Sequence, residues 1–302
     1  MSTPVSPLQE DGIQIAAEHG RICALATDCQ RDLQQCTAEH QSLFSGNPFD
    51  PRLVSGVALA NAFGSPWATA DELRIACRSS LWVFAADWLV DYVAKSREEV
   101  DALAHGCLAV ADGSPPSPEI PLTVFLAQIR DDLAAAPAFA SLHPRWCTQL
   151  ERYLTAMATE WDWQAARSNG GAPPPTFDSY LDNADNFGST FVNVSHWIMT
   201  CEPDSLEHFD RLWSASGIVQ RVLRLLNDLA TAEREVTWGD LNALALGVSR
   251  EAVRRRITAL VAEFRDLAAS LRADCPRETA YLERQIGYST GFYSRTDYWG
   301  DL

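Results

Sequence analysis

No stretch of this 302-residue chain is apolar for the ~20 residues that a membrane-spanning helix needs. The best candidate, LWVFAADWLV at 81–90, is interrupted by Asp87. The N-terminal MSTPVSPLQEDGIQ lacks the basic segment and apolar run of a secretory signal, so a cytoplasmic protein is expected. Positive charge is scarce: 24 Lys+Arg face 40 Asp+Glu, a formal net charge of −16. That balance excludes a chain that grips nucleic acid or an anionic membrane surface by bulk electrostatics. An anionic ligand would have to be held locally, by a metal or by a few arginines. The eight cysteines, at 23, 29, 36, 77, 107, 147, 201 and 275, show neither CxxC nor Cys/His ligand spacing. Reduced, mostly buried thiols are expected rather than staples or a zinc site. Strand-like alternation is nearly absent, and there is no internal repeat.

What is present is helical. Hydrophobic residues make up 47% of the chain and charged residues 21%, enough for a substantial core. Segments such as GIQIAAEHGRICALATDCQRDLQQC, ADELRIACRSSLWVFAADWLVDYVAKS and EAVRRRITALVAEFRDLAASLRA place apolar residues at three-and-four spacing. Turn-rich stretches at 46–51, 112–121, 169–176 and 201–205 separate them, none longer than a loop within one domain. The expected fold is all-α, a single domain over 1–302 with roughly ten helices or more. Thr69 or Asp71 can cap the helix that runs into the 81–90 segment, Thr69 with Glu72 in the form of a capping box, and Ser96 with Glu99 either repeats that box or lies mid-helix.

Two clusters carry chemistry. In SLWVFAADWLVDY, Asp87 and Asp91 stand four apart, so a helix projects both carboxylates from one face among Trp82, Phe84 and Trp88. Two carboxylates in apolar surroundings repel each other and lose hydration unless a cation joins them or they face water. In VQRVLRLLNDLATAEREVTW, Asn227, Thr231 and Glu235 fall at i, i+4 and i+8, offering an amide oxygen, a hydroxyl and a carboxylate suited to Mg²⁺. Arg224 and Arg234 lie on or beside that stripe, and guanidinium groups among metal ligands point to a phosphate. Each cluster read alone is also compatible with the polar edge of an amphipathic helix.

Together the two clusters resemble the metal motifs of class I terpene synthases. DWLVD at 87–91 is similar to the family's aspartate-rich motif, with Trp88 where the commonest form has a second Asp. NDLATAERE at 227–235 resembles its second metal motif, matching at Asn227, Thr231, Arg234 and Glu235. The separation of about 140 residues and the helical texture extend the likeness over nearly the whole chain. The resemblance implies the class I α-helical bundle and metal-triggered loss of diphosphate from a prenyl diphosphate. It implies three Mg²⁺ ions held by Asp87, Asp91, Asn227, Thr231 and Glu235, with Arg224 and Arg234 on the diphosphate. Charge on the leaving group would thus be neutralised by Lewis-acid and electrostatic catalysis. Phe84, Trp88 and Tyr298 would offer aromatic faces to a carbocation, and Arg295 or Tyr298 would close over the diphosphate.

The segment YLDNADNFGS at 180–189 puts Ala184 where many bacterial sesquiterpene synthases carry a diphosphate-sensing Arg. It resembles instead the corresponding helix of labdane-related, kaurene-synthase-like diterpene synthases, with Asn183 near the substrate and Gly188 permitting a helix break. The substrate so implied is a C20 diphosphate of the copalyl type, supplied by a class II diterpene cyclase. Two alternatives stand: direct cyclisation of acyclic geranylgeranyl or farnesyl diphosphate, and a non-catalytic all-α scaffold. A homodimer is compatible with the sequence, but no residues place an interface.

Overall fold

The computed structural model describes residues 7–46, 48–168, 173–238 and 240–299; the side chains of residues 7–11, 168, 233 and 235–238 lie outside the description. Among the described residues there are thirteen α-helices and no strand. They are α1 (Pro7–Glu39), α2 (Gln41–Phe44), α3 (Pro51–Gly64), α4 (Ala70–Trp88), α5 (Arg97–Ala111), α6 (Pro121–Ala134) and α7 (Phe139–Ser168). The second half holds α8 (Phe177–Asp182), α9 (Ser189–Thr200), α10 (Pro203–Leu206), α11 (Phe209–Trp238), α12 (Arg250–Leu271) and α13 (Pro276–Phe292). Because α2, α8 and α10 are only 4, 6 and 4 residues long, ten substantial helices build the body. The all-α expectation is met. The expected connection at 169–176 falls partly outside the described residues.

Helix starts follow local chemistry. Thr69 caps α4 in a reciprocal box, its Oγ1 accepting from Glu72 N while Glu72 Oε2 accepts from Thr69 N at 2.7 Å. Ser96 is a true N-cap of α5, accepting from Glu99 N at 3.3 Å, which decides against its lying mid-helix. Asp50 caps α3 with Pro51 at the first helical position, where the missing N–H costs nothing.

The helices α3, α4, α7, α9, α11 and α13 surround a central cavity, while α1, α5, α6 and α12 pack outside them. Below the cavity the core is aromatic: Phe191 sits 5.4 Å from Trp82 and 5.5 Å from Trp146 between ring centroids. Both indoles bury without loss of a hydrogen bond, Trp82 Nε1 donating to Leu122 O and Trp146 Nε1 to Ser195 Oγ. Buried Arg78 ties α4 to α1 through a two-point pair with Asp32, and to α6 through Asp132. All eight cysteines are free thiols, most of them buried. Among the described residues no helix is long and apolar enough to cross a membrane.

His196, on α9, is 3% exposed; its Nε2 meets Ser65 Oγ at 3.0 Å and its Nδ1 has no hydrogen-bond partner. Burial favours the neutral ring and lowers its pKa from 6.5 to about 4. The unfolded chain therefore takes up this proton first as pH falls. The stability contributed is fully present above pH 6.5 and is lost between there and about 4. The loss is on the order of 2 kcal/mol by pH 5. Accordingly, denaturant melts of a His196→Gln variant should show a flatter dependence on pH across this window than the parent, whatever their absolute midpoints.

Candidate active site

The first motif lies where α4 ends. Instead of stopping at Trp88, the chain adds one π-helical turn, Leu89–Val93, closed by the Ala94 N–H donating to Leu89 O at 2.8 Å. A π turn inside an α-helix is a frequent companion of functional sites. Asp87 on the last α turn and Asp91 on the π turn both line the cavity. Burial raises the Asp87 pKa to about 7, with Asp240 and Glu160 adding repulsion and Arg224 opposing it. Asp91 is pushed well above the usual carboxylate range by burial and by the charge of Asp87. Its Oδ1 is buried with no hydrogen-bond partner.

The second motif faces it from α11. Asn227 and Arg234 line the same cavity. Thr231 is buried at 1% exposure and stands off the cavity wall, its Oγ1 donating to Asn227 O at 2.8 Å. The Glu235 side chain lies outside the described residues. Arg234 Nη1 pairs with Asp297 Oδ1 at 2.5 Å, which fixes the turn after α13 at the cavity mouth. There Tyr298 and Trp299 pack on Phe84, at 5.1 and 5.3 Å between ring centroids.

Between the two walls, Arg224 is 4% exposed and fully engaged. Its Nη2 pairs with Glu160 Oε2 at 2.7 Å, its Nη1 donates to Asn186 Oδ1 and to Asn183 O, and its guanidinium lies 3.9 Å from the centre of the Tyr180 ring. Tyr180 in turn donates to Asp228 at 2.9 Å. Asn186 also bonds Glu160. This cluster spans the interruption between α8 and α9, a 3₁₀ turn at Ala184–Phe187 followed by Gly188. Gly188 has φ +76°, and a Cβ there would stand 2.6 Å from Val83 Cγ1, so the helix break expected at this residue is enforced by both conformation and space.

Of the residues singled out from the sequence, Phe84, Asp87, Asp91, Gly188, Arg224, Asn227, Arg234 and Tyr298 meet at one cavity. Three more, besides Thr231, stand elsewhere. Trp88, one residue and about 100° round the helix from Asp87, stacks on Tyr92 at 4.7 Å instead of lining the cavity. Asn183 spends its amide on Ala156 O at 2.9 Å, and only its carbonyl reaches Arg224. Arg295 is exposed in the turn that follows α13. Glu160 and Asp240 were not foreseen. Glu160 lies on α7 with no acidic partner at i±3 or i±4, and Asp240 follows the end of α11, where Tyr92 donates to it at 2.6 Å. Neither belongs to a spaced pair of the kind that marks the two motifs; the TWGD that follows the second motif is the clue the sequence offers to Asp240.

The donor set fits a hard divalent cation. All the candidate ligands are oxygens, and an unpartnered buried carboxylate oxygen of Asp91 beside Asp87 is the arrangement such an ion relieves. Among the described residues no three of His, Cys, Asp or Glu converge closely enough to hold an ion by themselves. Oxygens from the opposite wall or from a ligand would have to complete the coordination.

Residues 78–267 match the sequence profile of terpene synthase family 2, C-terminal metal binding, a span that contains both motifs. The chain belongs to this family. The synthase is 26% identical over 273 residues to ent-pimara-9(11),15-diene synthase of Streptomyces sp. strain KO-3988, covering 89% of this chain and 90% of that protein. Its fold matches linalool/nerolidol synthase from Streptomyces clavuligerus, solved with 2-fluorogeranyl diphosphate, at TM-score 0.69 and 19% identity over 90% of this chain and 97% of that one. It also matches 2-methylisoborneol synthase from Streptomyces coelicolor A3(2), solved with Mg²⁺ and geranyl-S-thiolodiphosphate, at TM-score 0.64 and 18% identity over 90% of each chain. The protein is thus a terpene synthase, a carbon–oxygen lyase dependent on divalent metal.

The Arg224–Glu160 pair yields a stability test. Arg224→Met leaves Glu160 buried without its counter-charge, which should cost about 3–5 kcal/mol. Adding Glu160→Gln removes the stranded charge and should recover a substantial part of that loss in urea unfolding.

Proposed function

We propose that this synthase ionises a C20 prenyl diphosphate, a bicyclic labdane-type one such as copalyl diphosphate, and cyclises or rearranges the resulting carbocation to a diterpene. One observation carries the reading: the carboxylates of Asp87 and Asp91 on α4 and its π turn face Asn227 and Arg234 on α11 across one cavity. Asp87 and Asp91 would hold metal on one side, and Asn227, Thr231 and Glu235 on the other. Bound there, three Mg²⁺ ions would neutralise the charge that develops on the departing diphosphate. Arg234 at the mouth would add its guanidinium to the diphosphate, and Arg224, paired with Glu160 in the same lining, would add positive potential. Phe84 and Tyr298 would face the hydrocarbon, turning π-electron density toward the carbocation and excluding water from it.

The C20 preference draws on the relative named above, a diterpene synthase, and on Ala184. This buried residue carries no charge where many bacterial sesquiterpene synthases place an arginine. A class II diterpene cyclase would then supply the bicyclic substrate. The second reading, direct cyclisation of acyclic geranylgeranyl or farnesyl diphosphate, uses the same residues.

The synthase incubated with Mg²⁺ and geranyl, farnesyl, geranylgeranyl or copalyl diphosphate should release diphosphate and a diterpene from the copalyl substrate; turnover of farnesyl diphosphate alone would overturn the C20 reading. Asp87→Asn should lower kcat/KM by at least about a hundredfold while leaving the thermal midpoint at or above that of the parent, since it removes one of several mutually repelling buried carboxylates.

A further inference from the structure

The far end of the cavity is polar where a chamber for hydrocarbon alone would be apolar. Ser80 lies seven residues before Asp87 on α4, about 10 Å along the helix from the metal end. Beside it on α3, Asn61 is 6% exposed and spends its amide N–H groups on Val57 O at 3.0 Å and Ser80 Oγ at 3.2 Å. The Ser80 hydroxyl is itself committed to Ala76 O at 2.8 Å. Asn61 Oδ1, by contrast, accepts from no described residue, and it is open to the cavity. On α13, which packs beside α3, Gln285 donates to Asn193 Oδ1 at 2.7 Å, and Ser289 stands one turn further on in the same lining.

The orientation of the Asn61 amide follows from its neighbours. A backbone carbonyl and a hydroxyl oxygen take the NH₂ side, so the carbonyl side must face the cavity. An acceptor held that way by its own side chain's donors awaits an O–H. A hydrocarbon has none to give, and a substrate carbon skeleton pressed against the oxygen would leave it desolvated and unpaired. A water satisfies it. Donating one O–H to Asn61 Oδ1, that water keeps a lone pair directed into the chamber.

On the function proposed above, we infer that this end of the cavity positions a water for capture by the final carbocation, so that the product is a terpene alcohol. The carbon–oxygen bond forms from the water lone pair. The oxonium then loses one proton, relayed through water, to the diphosphate that ionisation leaves at the metal end of the same cavity. Prenyl diphosphate and water become alcohol and protonated diphosphate, with no change of oxidation state. Asn61 is a positioning residue here: it orders the nucleophile and takes no proton.

The test measures diphosphate release and product composition together, in H₂¹⁸O, with Mg²⁺ and the four prenyl diphosphates already named. The expected result is an alcohol carrying one labelled oxygen on a ring or tertiary carbon. Asn61→Leu should cut the alcohol-to-hydrocarbon ratio roughly tenfold, a change of partitioning that a loss of fold would not produce. Release of diphosphate with only hydrocarbon products overturns the inference and leaves the proposed function standing. An unlabelled alcohol has kept the ester oxygen through P–O cleavage and likewise overturns it. If no diphosphate is released from any of the four substrates, the reading beneath it fails and the inference with it.

Discussion

A guanidinium sealed from solvent beneath a ring of carboxylates is the constraint around which this active site is built. Arg224 is the cation whose pull opposes the raised pKa values of Asp87, Asp91 and Glu160, which burial and mutual repulsion would otherwise drive higher still. Its contacts run to α7 through Glu160, to the 3₁₀ turn through Asn186 and to α8 through Tyr180. Tyr180 then reaches back to Asp228 on α11, and Asp228 accepts from Ala243 N beyond that helix. Three helices and the break between α8 and α9 are therefore tied to one charge. A buried pair of this kind gains little net stability over an apolar substitute, but breaking it leaves a stranded ion. Its strength is in specifying geometry, and the geometry specified is the spacing between the two motif-bearing walls.

Electrostatics of this sort also gives meaning to the acidic balance of the chain. The net charge of −16 rules out bulk attraction of anions, and the two arginines nearest the cavity are both paired with carboxylates, Arg224 with Glu160 and Arg234 with Asp297. The cavity end that should meet a diphosphate is thus lined by more acid than base. Cations are what such a surface draws in, and they are what a diphosphate needs in order to bind there.

Much of this was readable from sequence because it is periodic. Helix interiors follow from three-and-four spacing, the starts of α4 and α5 from Thr69 and Ser96, and the motif stripes from the i, i+4 positions of Asp87, Asp91 and Asn227. What escaped was decided by contacts between helices far apart in the chain. Nothing in the order of residues says that Glu160 will face Arg224, 64 positions away, or that Tyr92 will bond Asp240. The π turn escaped for a different reason: no breaker marks it, since Leu89 and Val90 suit an α-helix equally well. Trp88 shows the reverse case, a residue inside a motif that turns away from the cavity, while Asn183, expected from the resemblance, gives its amide to Ala156 O.

The family profile ends at residue 267 and begins at 78, yet the cavity does not respect those limits. Asp87, Asp91, Asn227 and Arg234 fall inside the span, as do Phe84 and Gly188; Asn61, Gln285, Ser289 and Tyr298, which line the same cavity, fall outside it. The wall that carries the metal motifs is therefore written within the family span, and the rest of the cavity lining is written partly beyond it. Selection can retain the first while the second drifts, so relatives that agree on the metal motifs are free to diverge in the molecule they release.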